Sequence, residues 1–214
     1  MIKTTKKNIE EIKSILLEKY KEAKTELKYK NEYELLVSII LSAQCTDKRV
    51  NIITPELFKK YPSTKELSRA QLDDVKEIIK SCSFFNNKAK NLIKMAVDVE
   101  NKFHSKIPHN YNDLISLAGV GNKTANVFLI ENDNENRMAV DTHVFRTSHR
   151  LGLSDAKNVE ETEKDLIKAF KTDLAILHQA LVLFGRYICT AKNPKCDECF
   201  LSTYCKTKES FKAK

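Results

Sequence analysis

The sequence has little glycine and proline and no long apolar run, and each shortage excludes a class of protein. Only four glycines and four prolines occur in 214 residues, so flexible linkers and low-complexity tracts are not expected. No stretch approaches the ~18 uninterrupted apolar residues that a membrane-spanning helix needs. Residues 1–7 lack the apolar core and the cleavage site of a secretory signal peptide. We therefore expect a cytoplasmic protein with no membrane association.

Apolar residues recur at helical spacing along the whole chain. Residues 32–43 are nearly all apolar, which predicts a helix buried on most sides. Four further stripes each fall on one helical face: Ile9, Ile12, Leu16 and Tyr20; Val50, Ile53, Leu57 and Tyr61; Leu92, Ala96, Val99 and Phe103; Leu174, Leu177, Leu181, Phe184 and Ile188. No alternating strand pattern of useful length accompanies them. The sequence therefore predicts an all-α fold.

Several residues predict where these helices begin or bend. Asn110 and the pair Thr172-Asp173 are expected at helix starts. Ser68 precedes Gln71 by three residues, which predicts a capping box. Pro55 predicts a kink or a restart within its helix.

The net charge is +8, which favours a polyanionic partner.

Four of the six cysteines are clustered near the C-terminus, in the pattern C-x6-C-x2-C-x5-C. They are Cys189, Cys196, Cys199 and Cys205. Closely spaced thiolates can converge on one centre, and four thiolates suit either a structural zinc ion or an iron–sulfur cluster. The spacing alone does not choose between them, and zinc is the first expectation. Disulfides are not expected, because nothing in the sequence indicates secretion.

Two of the four glycines stand together in the segment 111–131, which reads as a short helix, a Gly119-Val120-Gly121 turn and a second helix. Such a turn can bring backbone N–H groups against a phosphate at a helix N-terminus. A tight corner between two helices with no ligand is the alternative. A nucleotide P-loop is excluded, because Asn122 rather than glycine precedes Lys123.

These motifs together resemble the endonuclease III family of helix–hairpin–helix DNA glycosylases with lyase activity. The matching segments run in order along most of the chain: E-L-L-V-S-I-I-L-S-A-Q-C-T-D at 34–47, S-F-F-N-N-K-A at 83–89, L-A-G-V-G-N-K-T-A-N-V at 117–127, A-V-D-T-H-V-F-R at 139–146, and the cysteine pattern at 189–205. Ala118, Asn122 and Ser83 depart from the family's usual residues. Asn122 replaces a residue that is often basic, so one phosphate contact is expected to be lost.

The resemblance implies two helical lobes flanking a DNA-binding cleft. One lobe is a six-helix barrel over 25–135, with the helix–hairpin–helix at 111–131. The other is discontinuous, with residues 1–24 and 136–214, and carries a [4Fe-4S] cluster loop at 189–205. The cluster therefore replaces zinc as the expectation. Cys45 and Cys82 are left outside it and are expected to be small buried apolar residues.

The same resemblance assigns the chemistry. Lys123 matches the family's catalytic lysine, whose amine attacks C1′ of the damaged nucleotide, expels the base and leaves a Schiff base. β-Elimination then breaks the strand on the 3′ side. Asp141 matches the catalytic carboxylate, and it is also expected to cap the helix that starts near His143. His143 is expected to be structural.

Residues that contact DNA also follow from the match. Gln44 and Phe84 match the loops that fill the space left by a flipped base, with Gln44 facing the orphaned partner base and Phe84 acting as a wedge. A core position beside Phe85 is the alternative for Phe84. The remaining expected contacts are with phosphates, from the turn and from the cluster loop: Gly119, Val120, Gly121, Lys192 and Lys195. For the two lysines, solvated surface charge is the alternative.

The resulting hypothesis is a monomeric, nucleoid-associated base-excision repair enzyme that removes oxidised pyrimidines from damaged double-stranded DNA and cuts the strand. Mismatch thymine and adenine glycosylases of the same superfamily are the enzymatic alternatives. A non-catalytic DNA-binding module with structural zinc is the alternative from another class.

Overall fold

The computed structural model describes residues 4–211. Within that range the chain forms eleven α-helices and two short 3₁₀ helices, and no strand. The prediction of an all-α fold is therefore confirmed. Residues 1–3, part of the N-terminal segment 1–7 that is predicted not to be a signal peptide, lie outside the described range. None of the described helices combines the length and the apolar content needed to cross a bilayer.

The helices follow one another closely along the chain. Their bounds are α1 Lys6–Lys19, α2 Glu32–Ser42, α3 Asp47–Lys60, α4 Thr64–Ser68, α5 Leu72–Ile79, α6 Phe85–Lys102, α7 Tyr111–Ser116, α8 Asn122–Asp133, α9 Thr142–Arg150, α10 Val159–Phe170 and α11 Leu174–Tyr187. The 3₁₀ helices span Ser202–Tyr204 and Lys208–Phe211.

Contacts divide the chain into two compact units. One consists of residues 26–133 and holds α2 to α8. The other joins the chain up to Thr25 to the chain from Asn134 onward, so that α1 belongs with α9, α10 and α11.

Helix α2 is central to the unit 26–133. Every residue from 33 to 41 is buried, as the apolar run predicted. Asn31 caps the helix, because its side chain accepts a hydrogen bond from the backbone N–H of Glu34. α2 contacts α3, α6 and α8. His109 bonds Glu32 at the start of α2 and Asp133 at the end of α8, at 2.8 Å each. His109 therefore holds the start of α2 against the end of α8.

The other unit has its own apolar core. Ile9, Ile12 and Leu16 of α1 are buried, as their spacing predicted. α1 contacts α10 and α11, and α9 contacts α11 most closely. A Cβ added at Gly185 of α11 would lie 2.9 Å from the Cβ of His143. The absence of a side chain at Gly185 therefore lets α9 approach α11 and sets the position of α9.

One local prediction was wrong. Ser68 does not form a capping box with Gln71: it is the last residue of α4, and its hydroxyl donates to the carbonyl of Lys65. Of the two outcomes predicted at Pro55, the restart is excluded, because Pro55 lies inside the continuous helix Asp47–Lys60, and the kink stays a prediction. Other predictions were confirmed, since Asn110 accepts from the N–H of Asp113 at the start of α7, and α11 begins directly after Asp173.

Candidate active site and iron–sulfur centre

The turn between α7 and α8 is built around two glycines with different roles. Gly119 has φ +80°, in the left-handed region that side chains rarely adopt, and a Cβ there would lie 3.0 Å from the Cβ of Asn91. Val120 is buried, and its N–H donates to the carbonyl of Leu117 at 3.2 Å. Gly121 is exposed, and a Cβ there would meet nothing within 4 Å. The fold therefore needs glycine at 119, whereas the space beside Gly121 is open.

We expect the two glycines to differ sharply when each is changed to alanine. Gly119→Ala should lower the free energy of unfolding by about 1–3 kcal/mol, because alanine must adopt a left-handed backbone. Gly121→Ala should change the same quantity by less than ~1 kcal/mol. Denaturant unfolding of both variants beside the unchanged chain measures this difference. Equal destabilisation would contradict the distinct roles of the two positions.

Lys123 lies in the first turn of α8 and is partly exposed. The N–H of Ala125 donates to the carbonyl of Gly121 at 2.9 Å, so α8 starts directly after the glycine turn. Lys123 therefore stands at the positive end of the helix, two residues from the open space at Gly121.

The side chain of Asn122 holds the two helices of the hairpin together. Its Oδ1 accepts from the hydroxyl of Tyr111 at 3.1 Å and from Nδ2 of Asn126 at 2.9 Å. The first bond reaches back to α7 and the second lies within α8. The sequence indicated only that Asn122 replaces a residue that is often basic in the family. In the structure its side chain links α7 to α8 next to Lys123, which local sequence patterns did not indicate.

Asp141 is the N-cap of α9, as the sequence predicted. Its Oδ1 accepts hydrogen bonds from the backbone N–H groups of His143 and Val144, each at 2.8 Å. The carboxylate is half-buried and lies at the positive end of the helix. Nδ1 of His143 contacts Nη2 of Arg146 at 3.2 Å within the same helix. The expected structural role of His143 fits this contact.

Gln44 and Phe84 share an unusual backbone conformation. Gln44 follows α2 with φ +54°, and Phe84 precedes α6 with φ +57°. Neither is glycine, and both side chains are exposed, Phe84 by 63%. Phe85, by contrast, is partly buried. Left-handed residues other than glycine cost about 1–3 kcal/mol each and cluster where a protein binds or switches.

Lys88, which no sequence motif indicated as functional, connects the two loops that carry Gln44 and Phe84. It is buried on α6, and its ammonium donates to the carbonyls of Leu41 at 2.8 Å and Ala43 at 2.7 Å. Burial lowers the pKa of Lys88 from its ordinary value. Lys88 therefore caps the C-terminus of α2 just before Gln44. A lysine within the segment 83–89 was the available signal, but its target could not be read from the sequence.

The four C-terminal cysteines line one apolar cavity, together with Leu151, Phe184 and Leu201. None of the four forms a disulfide. Burial raises the pKa of the Cys199 thiol, and the nearby Cys189, Cys205 and Cys196 raise it further, so the four sulfurs influence one another. Among the described residues, no group of three or more Cys, His, Asp or Glu side chains has the geometry to hold a single metal ion.

Arg150 of α9 fixes the loop that enters this cavity. Its Nη1 donates to Sγ of Cys189 at 3.2 Å and to the carbonyl of Thr190 at 2.8 Å, and its Nη2 donates to the carbonyl of Ala191 at 3.1 Å. A cation and N–H donors beside a ligating sulfur suit a negatively charged thiolate centre. The residues present therefore fit an iron–sulfur cluster. Lys192 and Lys195 are both exposed on the loop between the first two cysteines.

Two family models match successive segments of the chain. The HhH-GPD superfamily base excision DNA repair protein model matches residues 37–172. The iron-sulfur binding domain of endonuclease III matches residues 189–205.

Several similar proteins are named endonuclease III. Endonuclease III of Rickettsia felis is 44% identical over 183 residues, covering 85% of this chain and 86% of that protein. Endonuclease III of Bacillus subtilis is 41% identical over 186 residues, covering 86% and 85%. A solved trapped endonuclease III–DNA covalent intermediate superposes with a TM-score of 0.93 at 36% identity, over 97% of this chain and 98% of that one. A thermostable thymine-DNA glycosylase, 21% identical with a TM-score of 0.79, shares the fold.

These matches decide between the hypotheses that the sequence left open. A non-catalytic zinc module is not supported, because the cysteine segment matches an iron–sulfur domain and the rest of the chain matches a repair enzyme. The chain therefore belongs to the endonuclease III family: it is a base-excision DNA glycosylase for oxidised pyrimidines with AP lyase activity, and it carries a [4Fe-4S] cluster.

Proposed function

We propose that this enzyme acts on damaged duplex DNA with Lys123 as its nucleophile and Asp141 as the carboxylate that stabilises positive charge on the sugar. The observation that carries the proposal is the position of Lys123, partly exposed in the first turn of α8, directly after a glycine turn with open space beside it.

The proposed reaction uses only groups of this chain and the DNA. The Nζ lone pair of Lys123 forms a bond to C1′, and the C1′–N bond to the base breaks with its electron pair leaving on the base. Loss of a proton from the new amine and opening of the sugar give the Schiff base. Removal of a C2′ proton then expels the 3′ phosphate by β-elimination. Asp141 stabilises the charge that develops on the sugar and accepts or returns protons.

A panel of duplexes tests the substrate class. Each duplex carries one oxidised pyrimidine, one thymine opposite guanine, or one adenine opposite an oxidised guanine. We expect base removal and strand cleavage with the oxidised pyrimidine, and much slower reaction with the other two. Faster reaction at the thymine or adenine mismatch would contradict the proposal and favour one of the enzymatic alternatives.

We propose that Phe84 wedges into the duplex while Gln44 faces the partner base. Phe84→Ala should slow base removal from intact duplex about tenfold or more, because unstacking a paired base costs a few kcal/mol. Cleavage at a site that already lacks its base should slow far less. Ile52→Ala, which removes an apolar side chain of similar 60% exposure from α3, is the matched control. Equal slowing of both reactions would remove Phe84, whose side chain is 63% exposed, from the wedge role.

Phosphate contacts are proposed for the turn residues Gly119, Val120 and Gly121 and for Lys192 and Lys195. Changing both lysines to alanine should flatten the log–log dependence of DNA affinity on salt by at most ~2 units, because each neutralised phosphate contributes about 0.9. Damaged and undamaged duplexes should weaken about equally. Lys157 and Lys164, also exposed in the same unit, form the control pair. If the double variant of Lys192 and Lys195 and the control double variant have the same salt slope, Lys192 and Lys195 are solvated surface charges and do not contact phosphates.

The ligands proposed for the cluster are Cys189, Cys196, Cys199 and Cys205. Bound there, the cluster supplies a rigid cross-link for the loop that carries Lys192 and Lys195, and no catalytic step passes through it. The unchanged protein is expected to bind about four iron atoms per chain, and Cys199→Ser is expected to bind fewer. Unchanged iron content would remove Cys199 from the ligand set.

We also propose that the unit 26–133 corresponds to the barrel lobe and the other unit to the cluster lobe, and that the enzyme works as a monomer in the cytoplasm, associated with the nucleoid. Light scattering should give the mass of one chain, 24.6 kDa. A mass of twice that value would contradict the monomer.

A further inference from the structure

The two cysteines outside the cluster lie side by side, although 37 residues separate them in the sequence. Their sulfur atoms are 3.5 Å apart. Cys82 is buried, as expected, but Cys45 is partly exposed, which corrects the expectation that both are small buried apolar residues. Cys45 directly follows Gln44, and Cys82 precedes Phe84 by two residues. The thiol pair therefore lies between the loop that carries Gln44 and the loop that carries Phe84.

We propose that Cys45 and Cys82 form a reversible oxidation site, at which a low-molecular-weight disulfide such as oxidised glutathione converts the thiol pair into an intramolecular disulfide that restrains both loops. The effect on the loops rests on the proposed roles of Gln44 and Phe84. The formation of the disulfide does not depend on those roles.

The exchange proceeds in two balanced steps. The thiolate of Cys45 attacks one sulfur of oxidised glutathione, forms a mixed disulfide and releases one glutathione thiolate. The thiolate of Cys82 then attacks the Cys45 sulfur and releases the second glutathione. The two cysteines are oxidised by two electrons in total, one oxidised glutathione is reduced to two thiols, and the two cysteine protons end on them. A small thiol in excess reverses both steps.

The environment of the pair determines which cysteine reacts first. Burial raises the pKa of Cys82 to about 12, and contact with Cys45 adds to this rise, while the positive charges of Lys88 and Arg49 oppose it. The partly exposed Cys45 is therefore the thiol that meets the external disulfide. Once Cys45 is in the mixed disulfide, it no longer raises the pKa of Cys82, while Lys88 and Arg49 still favour the Cys82 thiolate that resolves the mixed disulfide.

The loops allow the bond to form. A disulfide needs about 2.05 Å between the sulfurs, so they must approach by roughly 1.5 Å. Neither cysteine lies within a helix, since Cys45 stands between α2 and α3 and Cys82 between α5 and α6. Lys88 holds the end of α2 against α6 through the carbonyls of Leu41 and Ala43, which keeps the two loops adjacent.

The test treats the full protein, with its cluster loaded, with oxidised glutathione, and maps the disulfides by mass spectrometry of unreduced peptides. The visible absorbance of the cluster is followed to show that it stays intact. We expect one peptide pair linked through Cys45 and Cys82, lighter by two hydrogens than the separate thiols. Cys82→Ser should instead accumulate glutathione on Cys45, and Cys45→Ser should carry no glutathione on Cys82. Free thiols, or stable glutathione on Cys45 of the unchanged protein, would overturn the proposal.

The effect on the loops is measured on the same samples. The linked protein should remove an oxidised pyrimidine from intact duplex about tenfold more slowly than the reduced protein, and a thiol reductant should restore the rate. Cys82→Ser, which cannot form the link, should be slowed by less than half as much under the same treatment. If the mapped disulfide is present and the rate is unchanged, the restraint of the loops is refuted. Failure of the Phe84→Ala prediction alone would leave the mapped disulfide standing.

Discussion

Replacing Lys123 with glutamine should abolish both base removal and strand cleavage, with a loss on the order of 10⁴ or more in rate. Glutamine keeps the length and polarity of the side chain but has no amine that can form a Schiff base. Affinity for DNA should fall only modestly, because the glycine turn and the start of α8 remain in place. Single-turnover cleavage of an oxidised-pyrimidine duplex, together with a binding titration, measures the two effects separately.

Lys65→Gln is the matched control for the loss of a positive charge. Lys65 is exposed on the short helix α4 of the same unit. The Lys65→Gln variant should cleave the duplex at nearly the rate of the unchanged protein. If Lys123→Gln and Lys65→Gln slowed cleavage to the same small extent, Lys123 would be only one of several phosphate contacts and the nucleophile would lie elsewhere.

The second large effect is expected at Asp141, where capping and catalysis can be separated. Asp141→Asn retains an oxygen that can accept the N–H bonds of His143 and Val144, but removes the negative charge. We expect it to lose about 10²–10⁴ in the rate of base removal, because a positioned acid–base group contributes that much. Its free energy of unfolding should change by less than ~1 kcal/mol, since asparagine caps a helix about as well as aspartate.

Asp141→Ala removes the cap as well as the charge. It should therefore lose activity and about 0.5–2 kcal/mol of stability. Asn158 caps α10 through the N–H of Glu161, so Asn158→Ala gives the cost of losing a cap in the same unit without touching Asp141. Full activity in a well-folded Asp141→Asn would show that Asp141 is only a cap.

Much of this fold follows from local pattern. The buried helix at 32–43 and the caps at Asn110 and Asp141 depend on residues a few positions apart, and all three are present. The Ser68 box was wrong because α4 ends at Ser68, so its hydroxyl bonds back into its own helix rather than forward to α5. Spacing alone could not tell which of two adjacent short helices the serine joins.

The features that the sequence did not reveal depend on contacts between distant residues. Lys88 reaches back to carbonyls 45 and 47 residues earlier, and the Cys45–Cys82 pair spans 37 residues. The bond from Tyr111 to Asn122 crosses the hairpin and forms only when the turn is in place. The left-handed backbones of Gln44 and Phe84 had no glycine to indicate them. Tertiary structure, not local preference, imposes them.

The central claim is that an oxidised pyrimidine is removed through a Schiff base on Lys123, and borohydride trapping tests it most directly. Purified protein is incubated with a duplex carrying one oxidised pyrimidine, the Schiff base is reduced, and the covalent adduct is located by peptide mapping. We predict a single adduct on Lys123, present with this duplex and absent with the undamaged one. An adduct on another lysine, or base removal with no trapped adduct, would contradict the account.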